Sequence, residues 1–244
     1  QAYVAILFDL LGPSIRTGDL MEPYHLKKGD TVEIRLGTAK PELPFSTTVN
    51  YDGLLQDVQA GHTMVVDNGG ILMRIAEVRP DRLICDVLTE GVFGSRRHIN
   101  LPGVALRLPA LTEKDLADLA VAVECETDYV AMSFVRDAAH IAQLREHIDN
   151  LGGKAQIVAK IEDQQAVRHI DDIILAADVI MVARGDLGIE VSIEELPIIQ
   201  RRIVRHCHRL GRRCIVATHM LESMITPPTP NRAEFTDLSN AQFE

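Results

Sequence analysis

DYVAMSFVRDAAHIAQLREHIDNLGGKAQIVAKIE, residues 128–162, decides the fold. It opens on an apolar run, DYVAMSF (128–134), passes through a helical stretch at about 137–149, and returns to a second apolar run, IVAKI (157–161). Both runs are nearly continuous in apolar residues rather than alternating, which marks strands covered on both faces. The unit repeats downstream as a helix at about 164–176, the strand VIMVAR (179–184), a long helix and the strand CIVAT (214–218). Ser192 with Glu195 predicts a capping box for that long helix, with Leu196, Ile199, Ile203, Cys207 and Leu210 inward and Gly211 as its stop. Upstream, Thr112-Glu113-Lys114-Asp115 predicts another capping box, and YVAILFD (3–9), ended by Gly12-Pro13, reads as a further strand. Repeated βα units with buried strands predict an α/β fold on a parallel sheet, closed as a barrel or doubly wound.

Residues 17–98 differ in kind. TVEIRL (31–36), TMVVDNGGILMRIAEV (63–78) and RLICDVL (82–88) are rich in β-branched residues and separated by turn signals, with a hairpin predicted at 68–70. The division expected is therefore 1–16 as the start of the α/β part, 17–98 as an inserted small all-β module, and 99–244 as the α/β part continued.

Composition excludes several classes. The 244 residues are 46% hydrophobic and 25% charged, which is ordinary for a globular protein and unlike a disordered one. A net charge of -10 provides no general basic field for nucleic acid or an anionic membrane. The longest apolar stretch, 173–183, is short and interrupted by Asp178, so no membrane span is expected. Four cysteines without framework spacing fit a reducing, cytoplasmic interior. His206, Cys207, His208 and Cys214 resemble metal ligands, but neighbouring helical residues point to different faces. The arginines of 201–213 read as a solvated helix face.

Polar residues follow nearly every strand: Asp9; Ser133 and Arg136; Lys160 and Glu162; Arg184 and Asp186; Thr218, His219 and Glu222. A doubly wound sheet concentrates its site at one switch point, whereas a barrel carries it around the whole carboxyl edge, so this spread favours a barrel. Lys160 and Glu162 stand two apart on a strand and so face the same way. Carboxylate oxygens suit Mg²⁺, and a lysine beside them can neutralise an oxyanion or a transferring phosphoryl group. A structural ion pair is an equal alternative for that triplet taken alone. Ala183-Arg184-Gly185-Asp186-Leu187-Gly188 tips the balance, because its glycines permit close backbone approach to an anion and Asp186 offers a second carboxylate.

Longer motifs occur in order: DLLGPSIRTG (9–18), VDNG (66–69), NLPG (100–103), LPALTEKD (108–115), SFVR (133–136), AKIE (159–162), MVARGDLGIE (181–190), ATHMLESM (217–224) and PNRAE (230–234). Over essentially its whole length the chain resembles the pyruvate kinase family. The resemblance implies a (β/α)₈ TIM barrel with a β lid inserted after the third strand. It implies glycolytic phosphoryl transfer from phosphoenolpyruvate to ADP, giving pyruvate and ATP through an enolate, with Mg²⁺ (or Mn²⁺) and often K⁺. Position by position it assigns Glu162 and Asp186 to Mg²⁺ and Lys160 to the transferring phosphoryl group and the enolate. Ser133, Ala183, Arg184, Gly185 and Asp186 would bind phosphoenolpyruvate, with Thr218 beside the carbon that is protonated. Arg16 and Arg97 would contact nucleotide phosphate, and Asp67 would lie on the lid edge. Three departures stand out: Leu10 and Ser14 replace the Thr and Glu of potassium-dependent members, which weighs against Asp9 as a K⁺ ligand; Arg97 replaces a lysine; and His219 replaces a glutamine.

Five βα strands are fewer than the eight of a barrel. The expectation is the third to seventh strands plus the lid of a longer, homotetrameric parent, with little turnover from this chain alone. A non-catalytic phosphoenolpyruvate- and Mg²⁺-binding protein and a metal-dependent lyase of pyruvate-type substrates are the alternatives.

Overall fold

In the computed structural model, which describes residues 4–243, the chain forms two compact units, one of residues 14–108 and one of the segments flanking them. The flanking unit opens with β1 (Leu7–Leu10). Strand character was expected from residue 3; Tyr3 lies outside the described residues, and 4–6 are not in the strand. Ile6 instead exchanges bonds with the start of the next strand, its N–H donating to Asp128 Oδ2 at 2.7 Å and its carbonyl accepting from Asp128 and Tyr129.

The unit of residues 14–108 contains β2 (Tyr24–Leu26), β3 (Thr31–Arg35), β4 (Phe45–Thr48), the short α1 (Leu54–Asp57), β5 (Thr63–Val66), β6 (Ile71–Val78), β7 (Arg82–Val87), β8 (Gly91–Phe93) and β9 (Ile99–Asn100). Its main sheet runs β4-β3-β7-β6-β5-β9, with β2 and β8 paired separately. The β5–β6 hairpin turns at Asn68 and Gly69, both with positive φ (52° and 96°), as a tight turn matched to strand twist requires. The unit extends beyond the 17–98 read from the sequence, because Ser14 accepts from the Asn50 side chain and Arg107 donates to Asp57. Leu26, Val32, Ile34, Met64, Met73, Ile75, Leu83 and Phe93 form its core. Glu33 is fully buried within it and receives Arg82 Nη1 at 2.7 Å and the Glu42 and Leu43 amides at 2.7 and 3.2 Å. Those contacts hold its carboxyl below the usual range against the opposing pull of burial.

The chain then returns to the first unit with α2 (Glu113–Glu124), β10 (Tyr129–Met132), α3 (Ala138–Asn150), β11 (Gln156–Ile161), α4 (Gln164–Arg168), α5 (Ile170–Ala176), β12 (Val179–Ala183), α6 (Arg184–Glu190), α7 (Leu196–Arg209), β13 (Arg213–Ala217), a 3₁₀ turn (Glu222–Ile225) and α8 (Arg232–Phe243). The strands form one parallel sheet in the order β1-β10-β11-β12-β13, a curled half-barrel. Ile157, Ala159, Ile161, Ile180 and Val182 face a helical layer containing Leu119, Ile141, Leu144, Ile173 and Ile203. The opposite face carries Ala131, Val158 and Val179, so both faces are apolar and the strands read as continuous runs.

The Thr112/Asp115 capping box forms as expected. That of Ser192 and Glu195 does not: Glu195 itself precedes the first turn of α7 and makes no side-chain cap. Leu210 is 37% exposed rather than inward, because it ends the helix; Gly211 follows at φ +66°, and Arg212 N–H returns to the Cys207 carbonyl at 2.8 Å. The helix expected over 164–176 is broken at His169, and residues 184–190, for which no helix was expected, form one. Arg202, Arg205 and Arg209 are solvent-exposed, as expected of an outer face. Among the described residues no helix is long and apolar enough to cross a membrane.

Candidate active site

Parallel pairing in register places Asp9 beside Ala131 and Lys160 beside Met181, so the polar residues that follow each strand collect at one edge. Lys160 is the hub. Its Nζ lies 2.8 Å from Ser133 Oγ, 3.1 Å from Glu162 Oε1 and 3.3 Å from both Asp9 oxygens. Ser133 Oγ donates its single proton to the Leu10 carbonyl at 2.8 Å, so it accepts from the ammonium. Three adjacent strands, β1, β10 and β11, are thereby tied through one side chain. Burial pulls the Lys160 pKa down, but the charges of Glu162 and Asp9 outweigh it, and the group is held above its ordinary value.

Glu162 is 2% exposed. Its Oε2 accepts the Phe134 N–H at 2.6 Å. Phe134 reaches it through a left-handed backbone (φ +54°), a conformation a bulky side chain rarely adopts. Burial pushes the Glu162 carboxyl up to about 6; Lys160 and the Phe134 amide pull down, and the nearby Asp186 charge pushes up. Sequence reasoning missed two supports. Gly12 donates to Asp115 Oδ1 at 3.0 Å, joining the turn after β1 to the cap of α2. A Cβ on Gly12 would lie 3.0 Å from Ser133 Cβ, and its φ of +71° suits glycine, so the turn fits closely against Ser133. A glycine followed by proline was visible in the sequence; its partner, 103 residues away, was not.

A pH experiment isolates Glu162. Its folded pKa of about 6 exceeds the ordinary carboxyl value of 4.5, so between those values the folded state binds more protons than the unfolded state. This group's contribution to stability is therefore largest at low pH and declines as pH rises from 4.5 through 6, by about 2 kcal/mol in total. In chelator, the stability difference between wild type and Glu162→Gln should shift by that amount between pH 4 and pH 7.5, measured by urea denaturation. A flat difference would show that Glu162 is not destabilised as an anion.

Asp186 sits in the first turn of α6, directly after β12. Two hard oxygen donors, one of them buried and driven toward protonation, suit a divalent cation. Among the described residues no group of three or more His, Cys, Asp or Glu side chains converges for a metal, so other ligands would come from water or substrate. Thr218 follows β13 with a left-handed backbone (φ +73°), and a Cβ on Gly185 would meet its Cγ2 at 3.0 Å. Arg184 turns its guanidinium to the carbonyls of Ala217, Thr218 and His219 and to Asp237. Arg16 and Arg97 belong to the unit of residues 14–108. There Arg16 donates to Ser14 Oγ and the Arg96 carbonyl, and Arg97 pairs with Asp67 at 3.2 Å. A cavity of about 660 Å³ opens at the amino ends of the strands, lined in part by Tyr129, Gln156 and Arg213.

The family model described as "Pyruvate kinase, barrel domain" matches residues 1–244. The chain is 41% identical to plastidial pyruvate kinase 2 of Arabidopsis thaliana over 99% of its own length and 42% of the relative's. It is 40% identical to pyruvate kinase of Clostridium perfringens (100% and 52%) and 40% identical to chloroplastic pyruvate kinase isozyme G of Ricinus communis (99% and 57%). The chain thus spans about half the length of these curated relatives. With a full-length family match and parallel strands that bring AKIE and ARGDLG to one edge, the chain belongs to the pyruvate kinase barrel-domain family.

Proposed function

We propose that this chain carries the phosphoryl-transfer centre of a pyruvate kinase, which moves the phosphoryl group of phosphoenolpyruvate to ADP and releases pyruvate and ATP. The observation that carries the reading is Lys160, held among Asp9, Ser133 and Glu162 with Asp186 close by. Such transfer depends on positioning and charge neutralisation more than on covalent chemistry.

Lys160 stays protonated and stabilises negative charge on the transferring group and on the enolate oxygen left behind. Glu162 and Asp186 would hold Mg²⁺ or Mn²⁺, which supplies Lewis-acid polarisation of substrate oxygens when bound. The backbone of Ala183, Arg184, Gly185 and Asp186 frames the substrate carboxylate, with Ser133 completing the lysine's environment. Thr218 stands beside the methylene carbon that receives a proton. Arg16 and Arg97 contact nucleotide phosphates from the all-β insertion, which serves as a lid. Asp9, engaged by Lys160, is read as that lysine's counter-ion rather than as a K⁺ ligand. A cytoplasmic homotetramer is part of the same proposal.

The test is pyruvate formation by the natural full-length protein with phosphoenolpyruvate. Product should require both ADP and a divalent cation, and a chelator should abolish it reversibly. Pyruvate released without ADP would favour a lyase, and ligand binding without product would favour a binding protein.

A further inference from the structure

Thr218 and His219 both adopt positive φ, 73° and 43°. For a β-branched residue that is a true outlier, and it persists only where surrounding structure enforces it. The enforcing group is Arg184. Its Nε donates to the Ala217 carbonyl at 3.1 Å, and its Nη2 donates to those of Thr218 and His219 at 2.6 and 3.2 Å. One rigid fork thus satisfies three consecutive carbonyls at the point where β13 ends. The remaining arm, Nη1, donates to Asp237 Oδ1 at 2.6 Å.

Asp237 lies on α8, whose docking is unusual. Glu234 and Asp237, three residues apart and so on one face, are half-buried, whereas Phe235 is 64% exposed and Leu238 36%. Glu234 accepts from the Ser223 amide at 2.8 Å and from its hydroxyl. The helix is therefore fastened by its carboxylates to both ends of the loop of residues 218–223, at Ser223 directly and at Thr218 through Arg184.

We propose that Asp237 is a positioning residue: by fixing the Arg184 guanidinium it holds the left-handed backbone that aims the Thr218 side chain. The inference rests on the reading of Thr218 as a substrate-facing group. The plain alternative is an ion pair that merely anchors α8.

A double-mutant cycle in the natural full-length protein separates the two. Asp237→Ala should lower kcat by roughly 10- to 100-fold, as displacing a reacting group does, with a smaller change in KM. In a Thr218→Ala background the same substitution should cost less than about twofold, because the group it aims is gone. Equal losses in both backgrounds would overturn the proposal and leave an anchor. Asp237→Asn, which keeps the side-chain shape, supplies a milder variant for hydrogen exchange. Amides of residues 217–220 should exchange about tenfold faster, with β10 and β11 unchanged. Unchanged exchange at 217–220 would overturn the proposal whatever the activity. If the unsubstituted protein makes no ADP-dependent pyruvate, the phosphotransferase reading fails separately, and exchange alone decides the role of Asp237.

Discussion

Replacing Lys160 by methionine is expected to cut the turnover of the full-length protein by about 100- to 1,000-fold, the usual cost of removing a charge-stabilising donor from a water-poor site. Methionine keeps the apolar stem, so packing survives while the ammonium is lost. The loss should appear in kcat and in kcat/KM together, because the charge that Lys160 neutralises is greatest in the transition state. Glu162, 2% exposed, then loses the cation that pairs with it, so its pKa should rise further above about 6. Protonation of Glu162 would limit the stability cost to about 1–3 kcal/mol. Lys160→Arg keeps the charge but presents a planar fork where Ser133, Glu162 and Asp9 surround a compact ammonium, so it should rescue poorly. Steady-state kinetics of both variants check this. Near-normal kcat in Lys160→Met would remove the lysine from the chemistry.

The largest stability effect is expected in the unit of residues 14–108, at Arg82. Its side chain is 5% exposed and pairs with the wholly buried Glu33 at 2.7 Å. Breaking such a pair from one side leaves the buried carboxylate only the more distant Arg35, 4.0 Å away, which costs about 3–5 kcal/mol. Arg82→Leu should lower the urea midpoint of the chain correspondingly. The chain has no tryptophan, so circular dichroism is the suitable probe. The pH dependence follows from sign. The Glu33 pKa is lowered in the fold, so its contribution is present above the unfolded value of about 4.5 and is lost as pH falls through the folded value. The gap between wild type and Arg82→Leu should therefore narrow at acid pH. The double variant Glu33→Gln/Arg82→Leu should recover part of the loss, because no buried charge is left unpaired. A cost below about 1 kcal/mol for Arg82→Leu would show the pair to be dispensable.

Much of this was legible in the sequence. The βα alternation fixed a parallel sheet, because burial of both strand faces produces continuous apolar runs that spacing alone reveals. The hairpin at 68–70 and the Thr112 cap were equally readable, since turn and cap chemistry is local. The Ser192/Glu195 motif was local too, yet the helix starts later, so a cap signature without tertiary support does not fix a boundary. That residues 184–190 form a helix was not readable, because their two glycines penalise an isolated helix, and packing of the buried Leu187 overrides that penalty here.

The sequence by itself therefore determined the order of elements, the parallel pairing and which residue types follow each strand, because these depend on periods of two and 3.6 residues. The tertiary structure alone decided how those residues are used. It joined Lys160 to Asp9 across 151 positions, Gly12 to Asp115 across 103 and Arg184 to Asp237 across 53. It also set the left-handed backbones of Phe134 and Thr218, which neither residue favours on its own. Donors and acceptors that far apart along the chain leave no period to read. Their pairing exists only once the sheet has curled and brought the strand ends together.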